Sequence, residues 1–224
     1  DPRTCSPERF PAGSIDAVTT RRTPLPREVR VLIGGTLVNR AGTFVQPFLV
    51  LYLTVERGFS ASEAGLVVAA AGFGGMFSQL LGGWATDRFG ADRMAQGFAL
   101  MLVLILGGLS FAAQMLPHGL ALPAIVGLSA LWGFAGWGFG PAQAVRLIRL
   151  APERAPMTLS LNASAIYLGI AAGSGLGGVA IELFGVGTVG WVGAACQFAG
   201  LMLLLRAARR ARAAGATPSK LCFR

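Results

Sequence analysis

The chain has 224 residues, of which 54% are hydrophobic and 13% charged, and a formal net charge of +9. An ordinary soluble domain carries about 25% charged residues, so this balance argues for lipid rather than water as the main solvent. The cations gather at both termini and in short breaks between apolar runs instead of forming a stripe on a polar face, which argues against a nucleic-acid partner. Cys5, Cys196 and Cys222 have neither metal-ligand nor redox spacing, and His118 is the single histidine, so no metal site and no cofactor are expected.

In chain order, residues 1–30 are polar and hold Pro2, Pro7, Pro11, Pro24 and Pro26 without an apolar core. They are expected to form a disordered cytoplasmic tail rather than a signal peptide. Residues 31–205 then divide into six apolar runs, each near the ~20 residues that cross a bilayer core. The first runs about Val31 to Val55, and the second starts near Ser60, where Ser60-Ala61-Ser62-Glu63 has the form of a capping box, and ends near Thr86. The third covers about Met94 to Leu116 and stops at Pro117-His118-Gly119; the fourth covers about Leu120 to Val145. A polar connection, Arg146 to Pro156, leads to the fifth span, about Met157 to Leu183, and the Gly-rich turn Gly185 to Gly190 precedes the sixth, about Trp191 to Leu205. Residues 206–224 form a basic tail, also expected in the cytoplasm. The fold class is therefore all-α, a polytopic six-helix membrane protein.

Lys and Arg collect on the retained side of a membrane. With six spans, both tails and the connections after spans two and four share one face, and together they hold 17 of the 19 cations. Arg57 is on the other face and Arg40 lies inside span one. Both termini are expected in the cytoplasm, with the chain in the plasma (inner) membrane.

The segment Gly82-Gly83-Trp84-Ala85-Thr86-Asp87-Arg88-Phe89-Gly90-Ala91-Asp92-Arg93 is the most informative. Gly83 and Gly90 permit close helix approach and a tight turn, while Asp87 can meet a helix N-terminus or an arginine and so latch one conformation. The segment resembles the signature loop of the major facilitator superfamily, in which Gly-x-x-x-Asp-Arg-x-Gly is followed by basic residues. The resemblance implies a conformational latch at Gly83, Asp87, Arg88, Gly90 and Arg93. Ala91-Asp92 departs from the family pattern, which usually has arginines there.

Span one carries Asn39, Arg40 and Gln46. An ionisable residue that deep costs about 2.5 to 3.5 kcal/mol on insertion scales, so Arg40 is expected to face a cavity or a partner and to hold an anionic group or a carboxylate. In span five, Gly169, Gly173 and Gly177 repeat every fourth residue and clear one helix face for backbone-to-backbone packing. Ser160, Ser164 and Tyr167 form a polar stripe that lipid would not favour, and with Asn162 they are expected to line a cavity. The stretch from Ala151 to Gly178 resembles the penultimate helix of drug/proton antiporters and sugar-efflux permeases. Gly173-Ser174-Gly175 is similar to part of the rhomboid protease motif, but Ala172 stands where that pattern needs Gly and no histidine is in reach, so no enzyme is expected.

The resemblance covers residues 31–205 and implies half of a transporter whose relatives have twelve spans, with substrate held between the halves. Either a contiguous C-terminal half or a chain lacking the middle six helices fits. What it implies is efflux of a small organic solute by alternating access, with proton coupling, although no span has an acid at its middle. A homodimer would rebuild the cavity. The alternative is a non-transporting membrane subunit that only assembles with other helices.

Overall fold

The structure, a computed structural model, describes residues 25–213. The expected tails fall outside the described residues up to 24 and from 214 onward, as do Cys5 and Cys222. Every regular element among the described residues is helical: α1 (Arg27–Ala41), α2 (Val45–Val55), α3 (Ala61–Phe89), α4 (Ala91–Met115), α5 (His118–Leu150), α6 (Ala155–Phe184) and α7 (Val189–Ala213). Five stretches, in α3 to α7, are long and apolar enough to cross a membrane without interruption.

The first expected span is not among these five, and it is broken. A 3-10 turn, Gly42–Phe44, joins α1 to α2 with right-handed helical backbone throughout. Pro47 has no N–H to offer the carbonyl of Thr43, and its ring crowds that carbonyl. The turn tightens there, and the Thr43 hydroxyl donates to the Arg40 carbonyl at 2.7 Å. Helix begins at Arg27, earlier than the Val31 expected, so Arg40 lies 13 residues in, about 20 Å along the axis.

The fourth span also runs further than expected. Arg146 and Arg149, read as loop cations, belong to the last turns of α5, which ends at Leu150 before a 3-10 turn at Pro152–Arg154. Likewise α7 carries Arg206 on helix rather than in a tail. At the α2–α3 corner the local signal held: the Ser60 hydroxyl accepts from the Glu63 N–H, and the Glu63 carboxylate accepts from the Ser60 N–H at 2.8 Å.

The helices pack in the order α3, α5, α4, α7, α1, α6, with α3 and α6 as the end members. Bare backbone makes the closest contacts. A Cβ on Gly169 would sit 2.5 Å from the Leu37 carbonyl, and one on Gly173 would collide with the Ala41 carbonyl, so the expected glycine stripe does join α6 to α1. Gly74 and Gly133 do the same for α3 and α5, against the carbonyls of Ala130 and Ala71. Large apolar side chains such as Phe73, Leu80, Leu104, Phe111 and Leu183 stand exposed around the bundle, as lipid contact requires, whereas Phe98 is buried.

Candidate functional site

A polar network runs through the interior and ties four helices together. At one end of α4, Asp92 accepts from Arg146 Nε of α5 at 2.7 Å; the arginine is 6% exposed and the aspartate 63%. Arg146 Nη1 donates to Gln143 Oε1, one turn back on α5, at 3.0 Å. Gln143 Nε2 in turn donates to the Thr36 hydroxyl of α1 at 3.0 Å and to the Leu32 carbonyl at 3.1 Å. The single Thr36 proton then has two acceptors in reach, Asn162 Oδ1 of α6 at 2.9 Å and the Leu32 carbonyl at 3.1 Å. Thr36, Gln143, Arg146 and Asn162 thereby each recover a partner in place of water, which is the condition for keeping them in a membrane bundle.

A second contact lies one turn further along α1, where Asn39 Nδ2 donates to Gln197 Oε1 of α7. It leaves Asn39 Oδ1 and Gln197 Nε2 buried without a partner, one acceptor and one donor on the same pair. Arg40, next in sequence, turns to α5 instead. Its Nη2 donates to the Gly136 carbonyl at 3.2 Å and its guanidinium carbon lies 5.9 Å from the centroid of the Phe139 ring.

Of the residues expected to line a cavity, the structure brings Asn162 into the network and Asn39 and Arg40 beside it. Gln46 is half-buried and borders a small apolar cavity with Leu106, Leu109, Ser129 and Trp132. Ser160, Ser164 and Tyr167 are placed elsewhere. They share the side of α6 opposite Gly169 and Gly173, exposed, with Tyr167 at 74%. Their hydroxyl hydrogens are handled locally: Ser160 and Ser164 donate to the carbonyls one turn back, Pro156 and Ser160.

At the α3–α4 corner, Gly90 adopts φ +89°, ends α3 and lets α4 begin at the next residue. Gly83, Asp87, Arg88 and Arg93 are exposed, a Cβ on Gly83 would meet nothing within 4 Å, and Asp87 accepts no hydrogen bond from the described residues. The ion pair of this corner is made by Asp92 instead. Sequence reasoning passed over Thr36, Gln143, Arg146 and Gln197; the two glutamines inside apolar runs were the signal that could have found them.

The opposite ends of the helices are held by Arg57, in the turn after α2. It donates to the carbonyls of Ala113 and Leu116 at 2.7 Å each and so caps the C-terminus of α4. Gln114 Nε2 adds a bond to the Gly187 carbonyl at 2.8 Å, and the Phe59 and His118 rings stack with centroids 3.9 Å apart.

A bundle of membrane-length helices with a lipid-type exterior and a hydrogen-bonded polar interior is a polytopic membrane protein. The sequence pattern of the Major Facilitator Superfamily matches residues 32–221, and the chain belongs to that superfamily. It is 28% identical over 163 residues to the uncharacterized MFS-type transporter YbcL of Bacillus subtilis (strain 168), a match covering 72% of this chain and 38% of the relative. It is 36% identical over 149 residues to the uncharacterized MFS-type transporter YqjV of the same organism, covering 65% of this chain and 34% of the relative. The matched part thus spans little more than a third of the length of these relatives.

Proposed function

We propose that the chain works as one six-helix half of an efflux-type transporter that moves a small organic solute by alternating access. Membership of a transporter superfamily supports membrane transport as such. The observation that carries the finer reading is the α3–α4 corner: a family-type Gly-x-x-x-Asp-Arg-x-Gly turn whose Asp87 and Gly83 stand exposed on an end helix of the bundle. An acidic group beside a bare glycine suits a contact that forms in one conformation with a facing helix end and breaks in the other.

The facing wall belongs to a second six-helix unit, which for the chain on its own is a second copy. In that arrangement the exposed stripe Ser160, Ser164, Tyr167 of α6 meets the other unit instead of lipid. The proton antiport implied by the family resemblance needs a carboxylate able to change partner, and Asp92 is the acid bonded to the interior network. The cation distribution supports both termini in the cytoplasm and residence in the plasma (inner) membrane.

The test is flux of a panel of lipophilic cations, sugars and organic anions in proteoliposomes. The proposal expects flux for at least one solute, reduced about tenfold or more by Asp87→Asn, in the range expected for losing a charge-assisted contact. A folded, reconstituted protein that moves none of them would support the assembly-subunit reading instead.

A further inference from the structure

We infer that the groove between the first span and α5 holds an anionic group of the transported solute, a carboxylate or a phosphate, on Arg40. The inference rests on the transporter reading for the word transported, and on the groove's own chemistry for the anion.

Arg40 stands mid-way along a helical passage of 29 residues, 27 to 55, where an uncompensated charge is costly. Interior ionic groups elsewhere in this bundle are paired, since Arg146 has Asp92. Arg40 has no carboxylate within ion-pair distance among the described residues, and no acid of the described part lies near the middle of any span. Its interactions are one neutral carbonyl, Gly136, and the face of Phe139. Its Nε is buried without an acceptor. One turn before Gly136 on the same side of α5, Trp132 Nε1 is also buried without an acceptor. The unmet atoms of Arg40 and Trp132 are both donors, which is a demand for an acceptor and, at the guanidinium, for a negative one.

Room exists for it. A Cβ added at Gly136 or at Gly140, one turn on, would meet nothing within 4 Å, so the α5 wall beside Arg40 is bare backbone with open space in front of it. The depth selects the source of the anion. A position about 20 Å along the helix from Arg27 is too far in for a lipid headgroup at the bilayer surface, which leaves a solute.

The experiment uses the full chain in phosphatidylcholine nanodiscs and equilibrium binding of radiolabelled benzoate, with benzamide and benzamidinium as neutral and cationic competitors of nearly the same shape. The expected result is saturable benzoate binding that neither competitor displaces. Arg40→Gln weakens it about tenfold or more, as loss of a charge-assisted bond does, and Arg40→Lys retains part of it. Gly136→Ala, which meets no neighbour and so leaves the fold intact, weakens it several-fold by narrowing the groove. Equal binding of benzoate and benzamide, or benzoate binding undiminished in a folded Arg40→Gln or Gly136→Ala protein, overturns the inference. Loss of benzoate binding when phosphatidylglycerol replaces phosphatidylcholine assigns the site to lipid and overturns it as well. Flux of neutral or cationic solutes without benzoate binding removes the anion site and leaves the transporter reading standing; benzoate binding without any flux does the reverse.

Discussion

Arg146 of α5 donates from Nε to Asp92 of α4 across 2.7 Å, the arginine in the protein interior and the aspartate at its edge. The pair is asymmetric, and so are its expected mutational effects. Removing Asp92 leaves a buried guanidinium with only Gln143 Oε1 for company among the described residues, whereas removing Arg146 leaves a carboxylate that water can reach. Asp92→Ala is expected to destabilise by ~1–3 kcal/mol, and the double variant Asp92→Ala, Arg146→Met by less than Asp92→Ala alone. Thermal unfolding in detergent checks this, and a double variant less stable than Asp92→Ala contradicts it.

The α1–α6 seam depends on glycine. Because a Cβ at Gly173 collides with the Ala41 carbonyl, Gly173→Val forces the two helices apart, at a cost of ~2 kcal/mol or more. Gly83→Ala, where nothing lies within 4 Å, is expected to leave stability unchanged or slightly raised, since Ala is the better helix former. Melting temperatures of the two variants separate the packing glycine from the exposed one; similar losses in both would contradict the seam.

Arg57 caps α4 through two carbonyls at 2.7 Å, so Arg57→Ala frees the ends of α2 and α4 from each other. A loss of ~1–2 kcal/mol is expected, with faster thiol labelling of a cysteine placed at Gln114. Unchanged labelling would mean that the Tyr52 bond to the Ala113 carbonyl holds this end without the arginine.

The proposed orientation puts Glu56 and Glu153 on opposite sides of the membrane. Single cysteines at these positions, in a Cys-free background, are expected to react with a membrane-impermeant reagent in intact cells at position 56 and only after permeabilisation at position 153. The reverse pattern would invert the topology.

Local features of the fold were legible in the sequence because their causes are local. The Ser60–Glu63 capping box spans four residues, and the Gly169–Gly173 stripe follows from helical period alone. Arg146 was misplaced because cations between Pro141 and Pro156 look like a connection. Burial of that guanidinium depends on Asp92, 54 residues away, which the helix order brings alongside. Asn39 and Gln197 each stand out as polar residues in apolar runs, but nothing local pairs them across 158 residues. Helical period puts Ser160, Ser164 and Tyr167 on one face of α6, but period cannot say which face turns inward; the glycines opposite them decide that by allowing α1 to approach.

The most direct measurement is solute flux in proteoliposomes reconstituted with the full chain, run in parallel for the unaltered protein, Asp87→Asn and Arg40→Gln. Flux of at least one solute that falls in both variants is the result expected of a six-helix half that pairs with a second copy and moves its solute past Arg40. A well-folded, correctly oriented protein that moves no solute, or one whose flux is indifferent to both substitutions, would contradict it.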